Sequence, residues 1–205
     1  MNYLEFRSGF IGYGCFNIHQ VMAMDVGFDR NNLTRWIKAG YLIKLRQGWY
    51  TFTELALHPD NMFYFANKMY APSYISLHSA LSFYGLIPEA VLQVTSVSTL
   101  KTISFTNTVA SFTYKSLTAE LFFGYEPKAI GSGKHILIAT REKALLDLLY
   151  LYPFYRSEKD MESLRLDEDI LHEELNKGLM EEYIEKAGVG ALEKRIRLLF
   201  KTYEL

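Results

Sequence analysis

The sequence predicts an α+β fold, with a small helical unit over residues 1–56 and a larger body over residues 57–205. The body is expected to be a mixed α/β domain with an antiparallel sheet and C-terminal helices. Three observations lead there. Two short helical patterns near the N-terminus run directly into two strand-like segments joined by a glycine turn. Residues 91–140 are rich in Thr, Ser, Val, Ile and aromatic residues, the composition of strands. From residue 141 onward, apolar residues recur at helical spacing among many charges.

Residues 16–24 form the first predicted helix. Asn17 is placed to cap it, because its side-chain oxygen accepts from a free backbone N–H of the first turn. Ile18, Val21 and Met22 make its apolar stripe, and Gly27 ends the pattern. Asp29 is the predicted cap of a second helix over 30–39, where its charge suits the positive end of the dipole. Leu33, Trp36 and Ile37 share one face, and Gly40 suits the position after the helix, where φ turns positive. Segments 41–45 and 49–53 read as strands joined at Arg46-Gln47-Gly48. Helix, turn, helix, hairpin is the order of a winged helix-turn-helix.

A helical wheel of the second helix places Asn31, Arg35 and Lys38 opposite its apolar face, with Asn32 and Thr34 on the flanks. Arg30 falls nearer the buried edge. Lys44, Arg46 and Gln47 sit at or beside the hairpin tip, where a wing meets the DNA backbone or the minor groove. Asn pairs bidentately with adenine and Arg with guanine, while Lys and Thr hold phosphates or base edges. These eight residues, Asn31, Asn32, Thr34, Arg35, Lys38, Lys44, Arg46 and Gln47, are the predicted contacts to double-stranded DNA. A merely solvated helix face, or a winged helix that docks a protein instead of DNA, is the alternative.

Charge supports the first reading. The 205 residues carry 22 basic and 23 acidic side chains, a formal net charge of −1 that argues against a uniformly basic protein. The charges are segregated, however. Residues 1–53 hold six basic and three acidic residues, residues 54–153 seven of each, and residues 154–205 nine basic and thirteen acidic. Such asymmetry points to a basic binding surface on one part and a different role for the other.

Cys15 is the one cysteine, so no intramolecular disulfide forms. Residues 1–10 carry Glu5 and Arg7 and lack the apolar run of a signal peptide. The most apolar stretch, 144–155, is too short to span a bilayer and contains Asp147. A soluble cytoplasmic protein with no membrane partner is the expectation.

In the body, residues 55–70 are a predicted helix, with Pro59 near its start and Asp60 as a cap. Residues 74–84 are another, closed by Gly85 and Pro88. Antiparallel strands are expected at 92–98, 102–106, 110–116, 122–130 and 135–139, with Gly131-Ser132-Gly133 as a turn. A helix over 141–152 follows, and amphipathic helices near 167–177, 180–187 and 191–203 finish the chain.

Enzyme chemistry finds little support. His19, His58, His78, His135 and His172 are scattered without metal-ligand spacing. A nucleophile elbow, a P-loop and a dinucleotide glycine pattern are all missing from the sequence. Pro59-Asp60 and Glu126-Pro127-Lys128 resemble the PD…(D/E)xK elements of metal-dependent nucleases. Asp60 is read as starting a helix, though, and Pro127 suits an edge or bend, so the nuclease reading stays remote. No catalytic residue, metal, cofactor or small-molecule substrate is expected.

Leu33-Thr-Arg-Trp-Ile-Lys-Ala-Gly-Tyr-Leu-Ile-Lys-Leu-Arg-Gln-Gly-Trp-Tyr50 resembles the N-terminal winged helix of AbiEi-type antitoxins. Tyr74-Ile-Ser-Leu-His-Ser-Ala-Leu-Ser-Phe-Tyr-Gly-Leu-Ile-Pro-Glu89 looks like the segment opening that family's second domain. Glu120-Leu-Phe-Phe-Gly-Tyr125 and Ala139-Thr-Arg-Glu-Lys-Ala-Leu-Leu-Asp147 are similar to its later blocks. The resemblance implies a type IV toxin–antitoxin system of the abortive-infection kind, active in phage defence. In it a DNA-binding antitoxin regulates transcription of its own operon through inverted repeats and counteracts a nucleotidyltransferase-like toxin. It implies no catalysis. It assigns DNA contact to Asn31, Arg35, Lys38, Lys44, Arg46 and Gln47.

Overall fold

The computed structural model describes residues 1–58, 60–88, 93–131 and 133–205, and of Asp60 the backbone alone. Pro59, the Asp60 cap, Leu92 at the predicted strand start and Ser132 of the predicted turn lie outside the described residues.

The fold is α+β, with two sheets and two hydrophobic cores. The N-terminal core begins with a helix that the sequence reading did not place. Helix α1 (Tyr3–Phe10) starts in a capping box, in which the Asn2 side chain accepts from the Glu5 N–H and the Glu5 carboxylate accepts from the Asn2 N–H. It buries Phe6 and Phe10. A short strand, β1 (Cys15–Asn17), leads into α2 (Ile18–Met24), and Asn17 caps α2 in a second box with Gln20. Helix α3 (Asn31–Lys38) starts one residue later than expected, with Asp29 still accepting from the Asn31 N–H at 2.9 Å.

Gly40, at φ 77°, closes α3. Its N–H reaches the Ile37 carbonyl, and the Tyr41 N–H reaches that of Trp36, the Schellman arrangement that a residue with a Cβ strains to adopt. Strands β2 (Leu42–Arg46) and β3 (Trp49–Phe52) form the hairpin, and β1 adds antiparallel to β3, giving the order β1-β3-β2. The core beneath is aromatic: the Phe6 ring lies 4.7 Å from Trp36, 4.8 Å from Phe10 and 5.2 Å from Phe16.

The predicted helix over 55–70 is two elements, a single turn α4 (Thr53–Ala56) and α5 (Asp60–Met69). The helix predicted over 74–84 begins as a strand: β4 (Ser73–Ile75) enters the sheet and α6 (Leu77–Phe83) follows. All three residues of β4 are buried, because β5 and β9 flank it. Strands β5 (Gln93–Ser98), β6 (Ile103–Thr106), β7 (Ser111–Ser116), β8 (Tyr125–Ile130) and β9 (Lys134–Ala139) complete a six-stranded sheet of order β6-β7-β5-β4-β9-β8.

That sheet is mixed rather than antiparallel. β6 passes to the far side of β7 before turning back, so β5 and β7 run parallel, as do β4 and β9. Short turns between successive strands point to antiparallel neighbours only when successive strands pair, and β5 and β6 do not.

Helix α7 (Arg141–Leu151) is buried on nearly every side, which is why it carries no clean amphipathic stripe. Around it pack α10 (Lys177–Ala187) and α11 (Gly190–Thr202), preceded by α8 (Glu158–Glu162) and α9 (Glu168–Glu174). Two charged residues of α7 are wholly enclosed: Lys143 donates to Asp147 one turn on, and Ser76 and Tyr74 donate to the second Asp147 oxygen at 2.7 and 3.0 Å. Burial pushes the Asp147 carboxyl up and the Lys143 ammonium down, while their mutual contact pulls each the other way. No helix among the described residues is long and apolar enough to cross a membrane.

Candidate nucleic-acid interface

Helix α3 holds its polar residues outward because Leu33 and Trp36 anchor the other face in the aromatic core. Asn31, Thr34, Arg35 and Lys38 are exposed and Asn32 is half-buried. The hairpin stands beside this helix. Its tip is fixed to the start of α2, where the Ile18 N–H donates to the Gly48 carbonyl at 2.9 Å, and Gly48 takes the turn at φ 78°.

Between α3 and the hairpin lies an open cleft of about 360 Å³. Arg30, Thr34 and Ile37 line it from the helix, and Lys44, Gln47 and Tyr50 from the hairpin. The structure therefore brings together three of the predicted residues, Thr34, Lys44 and Gln47. Arg30 and Tyr50 are additions. The signal for Arg30 was present in the spacing, since Arg30, Thr34 and Lys38 follow one another at four-residue steps on one helix side. Tyr50 is the cross-strand partner of Lys44, which register alone reveals.

Arg35 and Asn32 sit on the other flank of α3. The Arg35 guanidinium donates to the Asn32 side chain and lies 3.6 Å from the Asp29 carboxylate. By contrast, Lys38 and Lys44 have no ion pair among the described residues, and the bond of Arg30 is to the Met22 sulfur at 2.8 Å.

Arg46 is not part of this face. Lys44 pairs with Tyr50 and Arg46 with Trp49, so β2 holds one extra residue, Leu45. The bulge reverses the alternation and turns Arg46 to the side of Trp49. Leu45 is buried in the core of the body. The Arg46 guanidinium donates to the Met69 carbonyl at 3.3 Å and lies 5.1 Å from the ring centre of Tyr70 and 5.2 Å from that of Phe105. Asn107 fixes the same strand by donating to the Leu45 carbonyl at 2.7 Å. The residue expected to touch DNA from the wing instead joins the hairpin to the body.

Elsewhere, Glu126 and Lys128 of the nuclease-like tripeptide pair with each other at 3.0 Å on edge strand β8. His19, His58, His135 and His172 are exposed, and no group of three His, Cys, Asp or Glu residues is placed to hold a metal among the described residues. Cys15 is buried in the core of the body, and burial pushes its thiol up to about 12. No protein-family model matches the chain, and no curated protein matches it.

Proposed function

We propose that residues 1–56 act as a winged helix-turn-helix that binds double-stranded DNA, and that the chain is a cytoplasmic transcriptional regulator of the antitoxin type. The observation that carries this reading is the cleft between α3 and the hairpin. Thr34 and Gln47 offer hydrogen-bonding groups of the kind that read base edges, Arg30 and Lys44 line the same cleft, and Lys38 is exposed at the end of α3, all three cations without a carboxylate partner among the described residues. Cations left unpaired on one exposed side favour a polyanion. The chain order of helix, strand, two helices and hairpin supports the motif, as does the sheet order β1-β3-β2. The antitoxin role rests on the resemblance of residues 33–50, 74–89, 120–125 and 139–147 to AbiEi-type antitoxins. In that role the chain represses its own operon at inverted repeats, opposes a nucleotidyltransferase-like toxin and catalyses nothing itself.

Fluorescence anisotropy tests the DNA part. A labelled duplex carrying the DNA upstream of this chain's gene is compared with a scrambled duplex over a salt series. The upstream duplex is expected to bind more tightly. In the double variant Lys38→Ala, Lys44→Ala, the slope of log affinity against log salt should shrink by about 2, one counterion-release step per lost phosphate contact. Equal affinity for both duplexes, or no binding at low salt, sinks the regulator. Co-expression with the toxin encoded beside the gene tests the antitoxin part, with rescue of growth as the expected result.

A further inference from the structure

The six-stranded sheet ends on one side in β8 and on the other in β6. The two edges differ. β8 carries Glu126, Pro127 and Lys128 in mid-strand, charges and a residue with no backbone donor, which are the usual means of stopping edge-to-edge pairing. Residues 102–106, Thr-Ile-Ser-Phe-Thr, have no charge and no proline, and the ladder of β6 to β7 runs without a bulge. Among the described residues, no strand lies beyond β6 and its outward backbone groups find no partner.

The same five residues read symmetrically about Ser104. When two copies run antiparallel with Ser104 opposite Ser104 of the second copy, Ile103 faces Phe105 and Thr102 faces Thr106. Ser104 and Thr106 are exposed on one face of the sheet, where their hydroxyls also bond Thr113 and Ser111 of β7, Ile103 and Phe105 are half-buried on the other, and Thr102, just before the strand, is exposed. Hydroxyls thus meet hydroxyls, and an aromatic ring meets a β-branched chain. Both kinds of cross-strand pair stabilise antiparallel ladders.

We propose that the chain self-associates through β6, two copies pairing antiparallel about Ser104 so that their sheets join into one. The occupant of this edge is a second copy because the edge complements itself in both hydrogen bonding and side-chain kind. The two-fold axis stands perpendicular to the joined sheet, so both copies show the same face on the same side. Phe105 lies on the face that Arg46 of the hairpin covers. Both N-terminal units therefore lie on one side of the joined sheet. The paired strand is short, so the association is reversible and concentration-dependent. It does not rest on the DNA reading, since β6 lies in the body.

Sedimentation of the full chain over a concentration series, without DNA, tests this. A monomer–dimer equilibrium is expected. Ser104→Lys sets two ammonium groups against each other at the axis and returns the chain to monomer where the unaltered chain is dimeric. Ser104→Glu does the same. Mixing the two variants restores the dimer, because unlike charges then face one another, and misfolded chains would not recover in this way. Ser104→Cys forms an intermolecular disulfide under mild oxidation. A chain that stays monomeric throughout, a dimer that Ser104→Lys leaves intact, or a mixture of the two charged variants that fails to associate overturns the proposal.

Discussion

The Arg46 guanidinium rests 5.2 Å from the centre of the Phe105 ring, so a cation from the hairpin of the N-terminal unit packs on an edge strand of the body. Tyr70 lies on the same guanidinium, and Met69 accepts from it. Arg46→Ala removes this contact and should lower stability by about 1–2 kcal/mol, the range of a partly buried cation–π contact with one hydrogen bond. Urea unfolding measures it. The salt dependence of DNA binding should stay as it is in the unaltered chain. A flattened salt slope with unchanged stability would return Arg46 to the DNA-facing set.

Asp147 and Lys143 are a buried ion pair with two hydroxyl donors attached. Asp147→Leu leaves the Lys143 ammonium enclosed without its partner and should cost about 3–5 kcal/mol in urea unfolding. Lys143→Met should cost a similar amount. The double variant Lys143→Met, Asp147→Leu should be less destabilised than the sum of the two, because no lone charge is left, though the Tyr74 and Ser76 hydroxyls still lose their acceptor at about 1–3 kcal/mol each. Strict additivity of the single variants would mean that the two side chains act independently.

Cys15 carries a pH dependence. Its thiol is pushed from 9.0 up to about 12 by burial, so the folded state holds the proton more tightly than the unfolded chain does. The stability it contributes is complete below pH 9 and is lost as pH rises toward 12. Cys15→Ala should lose less stability across that window than the unaltered chain, as read from urea midpoints at each pH. The raised value also predicts slow alkylation of the native thiol at neutral pH and fast alkylation once the chain is unfolded. Equal alkylation rates in the two states would contradict the enclosure of Cys15.

The local features of the N-terminal unit were legible because short-range chemistry decides them. Asn17 ahead of an apolar stripe, and Gly40 after an apolar helix face, announce a start and a stop within one turn of chain. The direction of Arg46 was not legible, because it depends on Leu45 being drawn into a core formed by residues far away in sequence. Helix α1 carries a local start signal in Asn2 with Glu5 three residues on, but what makes its helical face readable is not local, since Phe6 and Phe10 find their partners in Phe16, Trp36 and Phe52. Residues 74–84 suit a helix by spacing, yet Tyr74 and Ile75 are claimed as strand by β5 and β9. Parallel pairing of β5 with β7 likewise depends on where β6 travels, which no periodicity within a strand encodes.

Arg35 of α3 and Arg30, the residue just before that helix, separate the readings of its polar face. Arg35 is held on the flank away from the hairpin by Asp29 and Asn32, whereas Arg30 lines the cleft with Lys44. To reach a phosphate, Arg35 must first leave a carboxylate, a loss of up to about 1 kcal/mol for an exposed pair that subtracts from what the new contact brings. Arg30→Ala and Lys44→Ala should therefore each weaken operator binding more than Arg35→Ala does, by about 1–3 kcal/mol where a base contact is lost. Asp29→Asn frees Arg35 from its carboxylate and removes a negative charge from the binding side. It should tighten binding to all duplexes alike, without changing which sequence is preferred, since a phosphate contact carries no sequence information. Thr34→Ala and Gln47→Ala should do the reverse, narrowing the gap between operator and scrambled duplex while leaving the salt slope intact. If Arg35→Ala alone abolished discrimination, the reading side of α3 would be the flank facing Asp29, and the cleft beside the hairpin would not be the interface.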